Sequence, residues 1–152
     1  MTGQIRRWSV MAAAGLVTAG GLALVPATPA NAAVPCENPS PPSWFYTRLQ
    51  EAADYPDDAV PSSWGNSLNI ARIVCAESSF NPDAENGQFY GLGQLNAASV
   101  AAYSNFSWET YKHGTSANPA SYYQLLAALR YCKGRYGDTT AAWEFRKAHN
   151  WW

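Results

Sequence analysis

NSLNIARIVCAESSFNP, residues 66–82, sets the reading of the whole chain. Ile70, Ile73, Val74 and Glu77 recur at i, i+3, i+4 and i+7, the spacing of one face of an α-helix. Asn66 or Ser67 supplies the N-cap, and Pro82 biases Asn81 away from helical geometry, so the helix ends close after Glu77. Glu77 thus continues an apolar stripe into the last turn, where the negative end of the macrodipole also disfavours a carboxylate. A carboxyl group so placed keeps its proton to a higher pH than free glutamate, as a general acid requires. The alternative is a glutamate rolled slightly off the stripe and paired with a surface Arg or Lys.

Other helices are legible on either side. Ser43 caps a first helix whose inner face is Phe45, Leu49, Ala52 and Ala53, bounded by Pro56. Asn96 precedes a short helix over residues 97–103. Tyr122, Leu125, Leu126 and Leu129 give the strongest periodicity, with Gly134 as the stop, and a last helix starts at Asp138. No segment alternates apolar and polar residues convincingly. The expected fold is mainly α, a single domain over residues 43–152, with a short irregular or β-like loop region around the cleft.

Arg6 and Arg7, the uncharged run of residues 10–25, and small residues at Ala30 and Ala32 mark residues 1–32 as a signal peptide. The run is too short for a bilayer span and is followed by prolines. The paired arginines also suit twin-arginine export. Residues 33–42 contain Pro35, Pro39, Pro41 and Pro42 and read as a linker. Cleavage after Ala32 leaves 120 residues with 8 basic and 11 acidic side chains, a net charge of −3, which offers no footprint for nucleic acid. Three cysteines allow one intramolecular disulfide in an oxidising compartment. Cys75 and Cys132 both fall in helical patterns and are the favoured pair, although spacing alone does not settle it. With no CxxC and two histidines, no metal site is expected.

Past Glu77-Ser78 come Phe80-Asn81-Pro82 and then Tyr90-Gly91-Leu92-Gly93-Gln94-Leu95. This order resembles the transglycosylase SLT family of lysozyme-like lytic transglycosylases, and residues 118–152, with a helix, the Tyr136-Gly137 turn and an Ala142-Trp143 helix, look like the ending of its small secreted actinobacterial members. Their motif is a catalytic Glu before Ser, an aromatic-Asn-Pro turn, and a Gly-Leu-x-Gln-aliphatic segment. The likeness spans roughly residues 66–152. It implies a lysozyme-like fold, no cofactor, a monomer acting on peptidoglycan strands outside the cell, and no membrane association after signal cleavage. It also implies cleavage of the bond between N-acetylmuramic acid and N-acetylglucosamine with 1,6-anhydro ring formation, Glu77 being acid and then base. Where many members have Ala-Tyr-Asn, this chain has Ala142-Trp143-Glu144, and Trp offers only an N–H donor.

Ser78, Tyr90, Gly91, Gln94 and Trp143 are the candidate substrate-binding residues. Gly91 and Gly93 let the backbone approach a ligand, and Gln94 can both donate to and accept from sugar groups. Trp64, Tyr90, Trp108 and Trp143 are aromatic candidates for stacking on sugar faces, against the common alternative of core packing. A hydrolase would need a second carboxylate, for which Asp83, Glu85 and Glu109 are available. The competing functions are a muramidase and a non-catalytic wall-binding module.

Overall fold

The computed structural model describes residues 36–57 and 59–152. The signal-peptide reading and the first three residues of the proposed linker lie outside the described residues. The fold is mainly helical: α1 (Phe45–Ala53), a 3-10 turn (Ser62–Asn66), α2 (Leu68–Ser78), a two-stranded antiparallel hairpin of β1 (Glu85–Asn86) and β2 (Phe89–Tyr90), then α3 (Ala97–Tyr103), α4 (Trp108–His113), α5 (Ala120–Tyr136) and α6 (Thr139–His149). Among the described residues no helix is long and apolar enough to cross a membrane.

The core is built on α5, which packs against α1, α3, α4 and α6. Every residue from Gln124 to Cys132 is buried, so this helix is enclosed on all sides rather than along one stripe. Arg130 is tolerated there because its guanidinium pairs with Asp57, donates to Asn105 Oδ1 at 2.6 Å and lies 5.0 Å from the Tyr55 ring centroid. The stripe of α1 is buried as expected, and so are Ile70, Ile73 and Val74 of α2.

Caps follow the side chains that can make them. Ser67, Asn96 and Asp138 each accept a backbone N–H from the first turn of α2, α3 and α6. Two boundaries differ from expectation. The N-cap of α1 is Trp44, without a side-chain bond, while Ser43 lies in the preceding turn. Helix α5 runs through Gly134 to Tyr136 and is capped by Gly137 at φ 85°. Gly134 serves packing: a Cβ there would sit 2.5 Å from the Tyr103 ring. Helix α4 was not anticipated from periodicity, since Tyr111 is its one buried residue.

The favoured disulfide is corrected. Cys75 is bonded to Cys36, with Cα atoms 5.6 Å apart, and Cys132 is the free thiol. Cys132 is buried on α5, where its Sγ donates to the Asp138 carbonyl at 3.4 Å. Burial, reinforced by the Asp138 charge, pushes the thiol up to about 12, so it is not a reactive nucleophile. Cys75 occupies a less buried side of α2, and the segment read as a linker covers it. Arg72 Nε donates to the Glu37 carbonyl at 2.7 Å, and its guanidinium lies 3.5 Å from the Glu37 carboxylate. Residues 36–42 therefore begin with a strap fastened to α2 two residues before Glu77.

Removing the bridge should be costly. It links positions separated by 39 residues. Chain entropy assigns such a closure about 4 kcal/mol, of which Cys36→Ser should lose a large part in denaturant unfolding. Peptide mapping under non-reducing conditions should recover the Cys36–Cys75 pair, and Cys132 should resist alkylation until the protein unfolds. Native alkylation of Cys132 would contradict its burial.

Candidate active site

Helix α2 ends immediately after Glu77. Ser78 is its last residue, and Ser79 and Phe80 follow with φ of 52° and 63°, a left-handed pair without glycine. Five non-glycine residues have positive φ among those described: Cys36, Ser79, Phe80, Gln94 and Asn150. Cys36 is bonded two positions before Glu77, Ser79 and Phe80 follow it, and Gln94 and Asn150 line the same cavity as Glu77. Each such residue costs on the order of 1–3 kcal/mol, and strain of this kind gathers at functional sites. Phe80 is compensated by tucking its ring edge-on against Phe45 at 5.0 Å.

The cavity has a volume of about 430 Å3 and is lined by Ala76 and Glu77 of α2, Asn86 and Phe89 of the hairpin, Gln94 of the glycine loop, and Asn150, Trp151 and Trp152 after α6. Its size lies within the about 300–1,000 Å3 of small-ligand clefts. A second cavity, of about 660 Å3, opens on the hairpin and α4 and includes Glu85, Phe89, Tyr90, Trp108, Lys112 and His113.

Glu77 is 15 % exposed and is paired with Arg146 of α6, 16 % exposed, whose Nε donates to Oε1 at 2.6 Å. Among the described residues Oε2 has no hydrogen-bond partner, which leaves it as the oxygen available to a ligand. Burial raises the carboxyl above its ordinary value, and the Arg146 charge and hydrogen bond pull it part of the way back. Both readings of Glu77 from sequence are therefore partly realised: it is withdrawn from water, and it has an arginine partner.

The glycine loop is held from within. Gln94 Nε2 donates to the carbonyls of Ala84 and Gly91, both at 3.0 Å, so its amide nitrogen is used by the fold and its amide oxygen remains for a ligand. Gln124, fully buried on α5, accepts from Leu92 N–H at 2.9 Å and donates to the Pro82 carbonyl at 3.0 Å. Gly91 has φ 74°, and a Cβ on it would meet the Gln124 amide at 2.6 Å. The glycine there accommodates Gln124 rather than a ligand.

Of the candidate substrate-binding residues, Gln94 shares the cavity with Glu77, and Tyr90 lines the second cavity. The Tyr90 hydroxyl donates to Asp83 Oδ1 at 3.3 Å. Ser78 is buried, and its hydroxyl donates back to the Val74 carbonyl at 3.0 Å, a helix-end role. Trp143 is 2 % exposed and belongs to the core, which corrects its assignment to substrate. Arg146, Gln124, Asn86, Phe89, Trp151 and Trp152 were not anticipated. Arg146 lies 69 positions from Glu77, and no local pattern links the two.

No family model, no curated protein and no solved structure matches this chain.

The raised Glu77 carboxyl has a signature in stability. Because the folded state holds the proton more tightly than the unfolded chain, this group's contribution is fully present below the ordinary value of 4.5 and is lost as pH rises through the folded value. Glu77→Gln removes the titration. Thermal midpoints measured from pH 4 upward should show the variant gaining on wild type as pH rises, whatever the constant offset from leaving Arg146 without its carboxylate. Parallel curves would mean that burial does not dominate at this site.

Proposed function

We propose that the protein is a secreted, cell-wall-associated lytic transglycosylase that cleaves peptidoglycan between N-acetylmuramic acid and N-acetylglucosamine, as a monomer and without a cofactor. The observation that carries this reading is that Glu77 is the one side-chain carboxyl group among the residues lining its cavity. Asp83 is engaged by Tyr90, Glu85 lies on the second cavity, and Glu109 is paired with Lys112 and His113. A hydrolase usually works with two carboxylates about the scissile bond, whereas intramolecular ring closure needs one.

In this mechanism protonated Glu77 donates to the glycosidic oxygen, and the bond from that oxygen to the anomeric carbon breaks as the sugar takes on oxocarbenium character. The carboxylate left behind then removes the proton of the sugar's own 6-hydroxyl. That oxygen closes on the anomeric carbon, and the proton returns to Glu77. One group must therefore be acid and base in turn, and its opposing influences suit that demand: burial favours the protonated form, and Arg146 favours the carboxylate.

Glu77→Gln should reduce cleavage of purified sacculi by about 10²-fold or more, with the loss in kcat, while sacculus binding persists. Mass analysis of the wild-type digest should find anhydro-muropeptides. Products heavier by one water would instead identify a muramidase, and binding without release a wall-binding module. Replacing Arg146 by Met should move the alkaline limb of the pH–activity profile upward by about one pH unit, the low end of what a neighbouring opposite charge is worth. An unmoved limb would detach Arg146 and Glu77 from the reaction.

A further inference from the structure

We propose that Trp151 is a specificity-determining residue whose indole stacks on an N-acetylhexosamine ring and, with Phe89 on the hairpin, positions the sugar chain at Glu77. This deepens the function proposed above and rests on it.

Among the described residues three large apolar side chains are exposed: Leu68 at 44 %, Phe89 at 38 % and Trp151 at 49 %. Two of the three line the Glu77 cavity, and they come from different parts of the chain, strand β2 and the segment after α6. Isolated exposed apolar residues are ordinary, but two converging on a cavity with a partly desolvated carboxyl are the composition of a ligand site. An aromatic face is negative and apolar, and it matches the weakly positive C–H face of a pyranose, while the hydroxyl and amide groups around the sugar's rim need polar partners. Asn86, Gln94 and Asn150 line the same cavity and supply them.

The indole is held rather than loosely appended. Asn150 turns the chain at the end of α6 in the left-handed conformation, φ 60°. On the other side Trp152 is anchored, its Nε1 donating to the Gly93 carbonyl at 2.9 Å and its carbonyl accepting from the Tyr131 hydroxyl at 3.2 Å. Trp151 itself meets the Phe145 ring edge-on at 4.8 Å and has the Arg135 guanidinium 5.2 Å from its centroid. The His149 ring lies 6.0 Å from it as well. An aromatic with two side-chain torsions, fixed before the ligand arrives, loses little entropy on binding.

The test titrates the Glu77→Gln protein, in which the proposed mechanism allows binding but no turnover, with tetra-N-acetylchitotetraose in a calorimeter. It adds Trp151→Ala or Trp151→Phe to that background, and measures the same Trp151 changes for sacculus cleavage with Glu77 intact. Alanine should weaken binding by about ten-fold or more and raise KM with a smaller change in kcat. Phenylalanine, which keeps an aromatic face, should recover much of the loss. Near-ultraviolet circular dichroism checks that the fold is retained. Affinity within two-fold of the parent for the alanine variant overturns the proposal, as does equal loss with alanine and phenylalanine. If wild type releases no muropeptides yet the tetrasaccharide binds with Trp151 dependence, the catalytic reading fails and the platform stands. Absence of tetrasaccharide binding by the Glu77→Gln protein counts against the platform even where wild type cleaves sacculi.

Discussion

The side chain of Gln124, fully buried on α5, accepts from Leu92 N–H and donates to the Pro82 carbonyl, and so ties to the central helix both the turn that follows α2 and the glycine loop that brings Gln94 to the Glu77 cavity. A buried amide that lost either partner would carry a penalty of about 1–3 kcal/mol, which favours holding both loops in place together. Glycine at position 91 meets two demands at once, a φ of 74° and the close approach of this amide, which leaves no room for a Cβ. From there the arrangement extends through Gly91 N–H to the Ala84 carbonyl, through Gln94 Nε2 to the same carbonyl, and into the hairpin that carries Asn86 and Phe89. The polar groups facing the cavity are thus positioned by a network rooted in the hydrophobic core.

Glu77 is placed by a different balance. Helix α2 lies against α6, which brings Arg146 to Oε1, and the Cys36–Cys75 bridge fastens the outer side of the same helix two residues earlier. Two successive left-handed residues then turn the chain sharply away, with the Phe80 ring returned to the core beside Phe45. Strain in the backbone and burial of a carboxyl both work against stability, and a core organised around a fully enclosed helix offsets them. The cost is concentrated where the proposed chemistry needs a carboxyl that changes hands with a proton.

Much of this was legible in the residues alone. Apolar spacing locates α1, α2 and α5, because an amphipathic stripe is a local property of neighbouring turns, and Asn96 and Asp138 mark where α3 and α6 begin. Capping residues set most N-termini for the same reason, and the position of Glu77 on the buried stripe of α2 announced its raised proton affinity. The short helix α4 escaped, since one buried residue makes no period. Gly134 reads as a stop in the sequence because a glycine's use in close packing against Tyr103 depends on a partner 31 positions away.

What the tertiary structure alone decided were the relations between distant segments. Helical periodicity places Cys75 and Cys132 each on a helix but does not say which sides of those helices face one another; the fold buries Cys132 on α5 and turns Cys75 to the strap. Among the tryptophans the residues alone single out Trp143 and not Trp151, yet packing sends Trp143 into the core and leaves Trp151 on the cavity. Arg146, Gln124 and Trp151 reach the region of Glu77 across 69, 47 and 74 positions. Local propensity acts over a few residues, whereas such contacts arise only when whole helices bury their apolar faces against one another and carry their polar side chains with them.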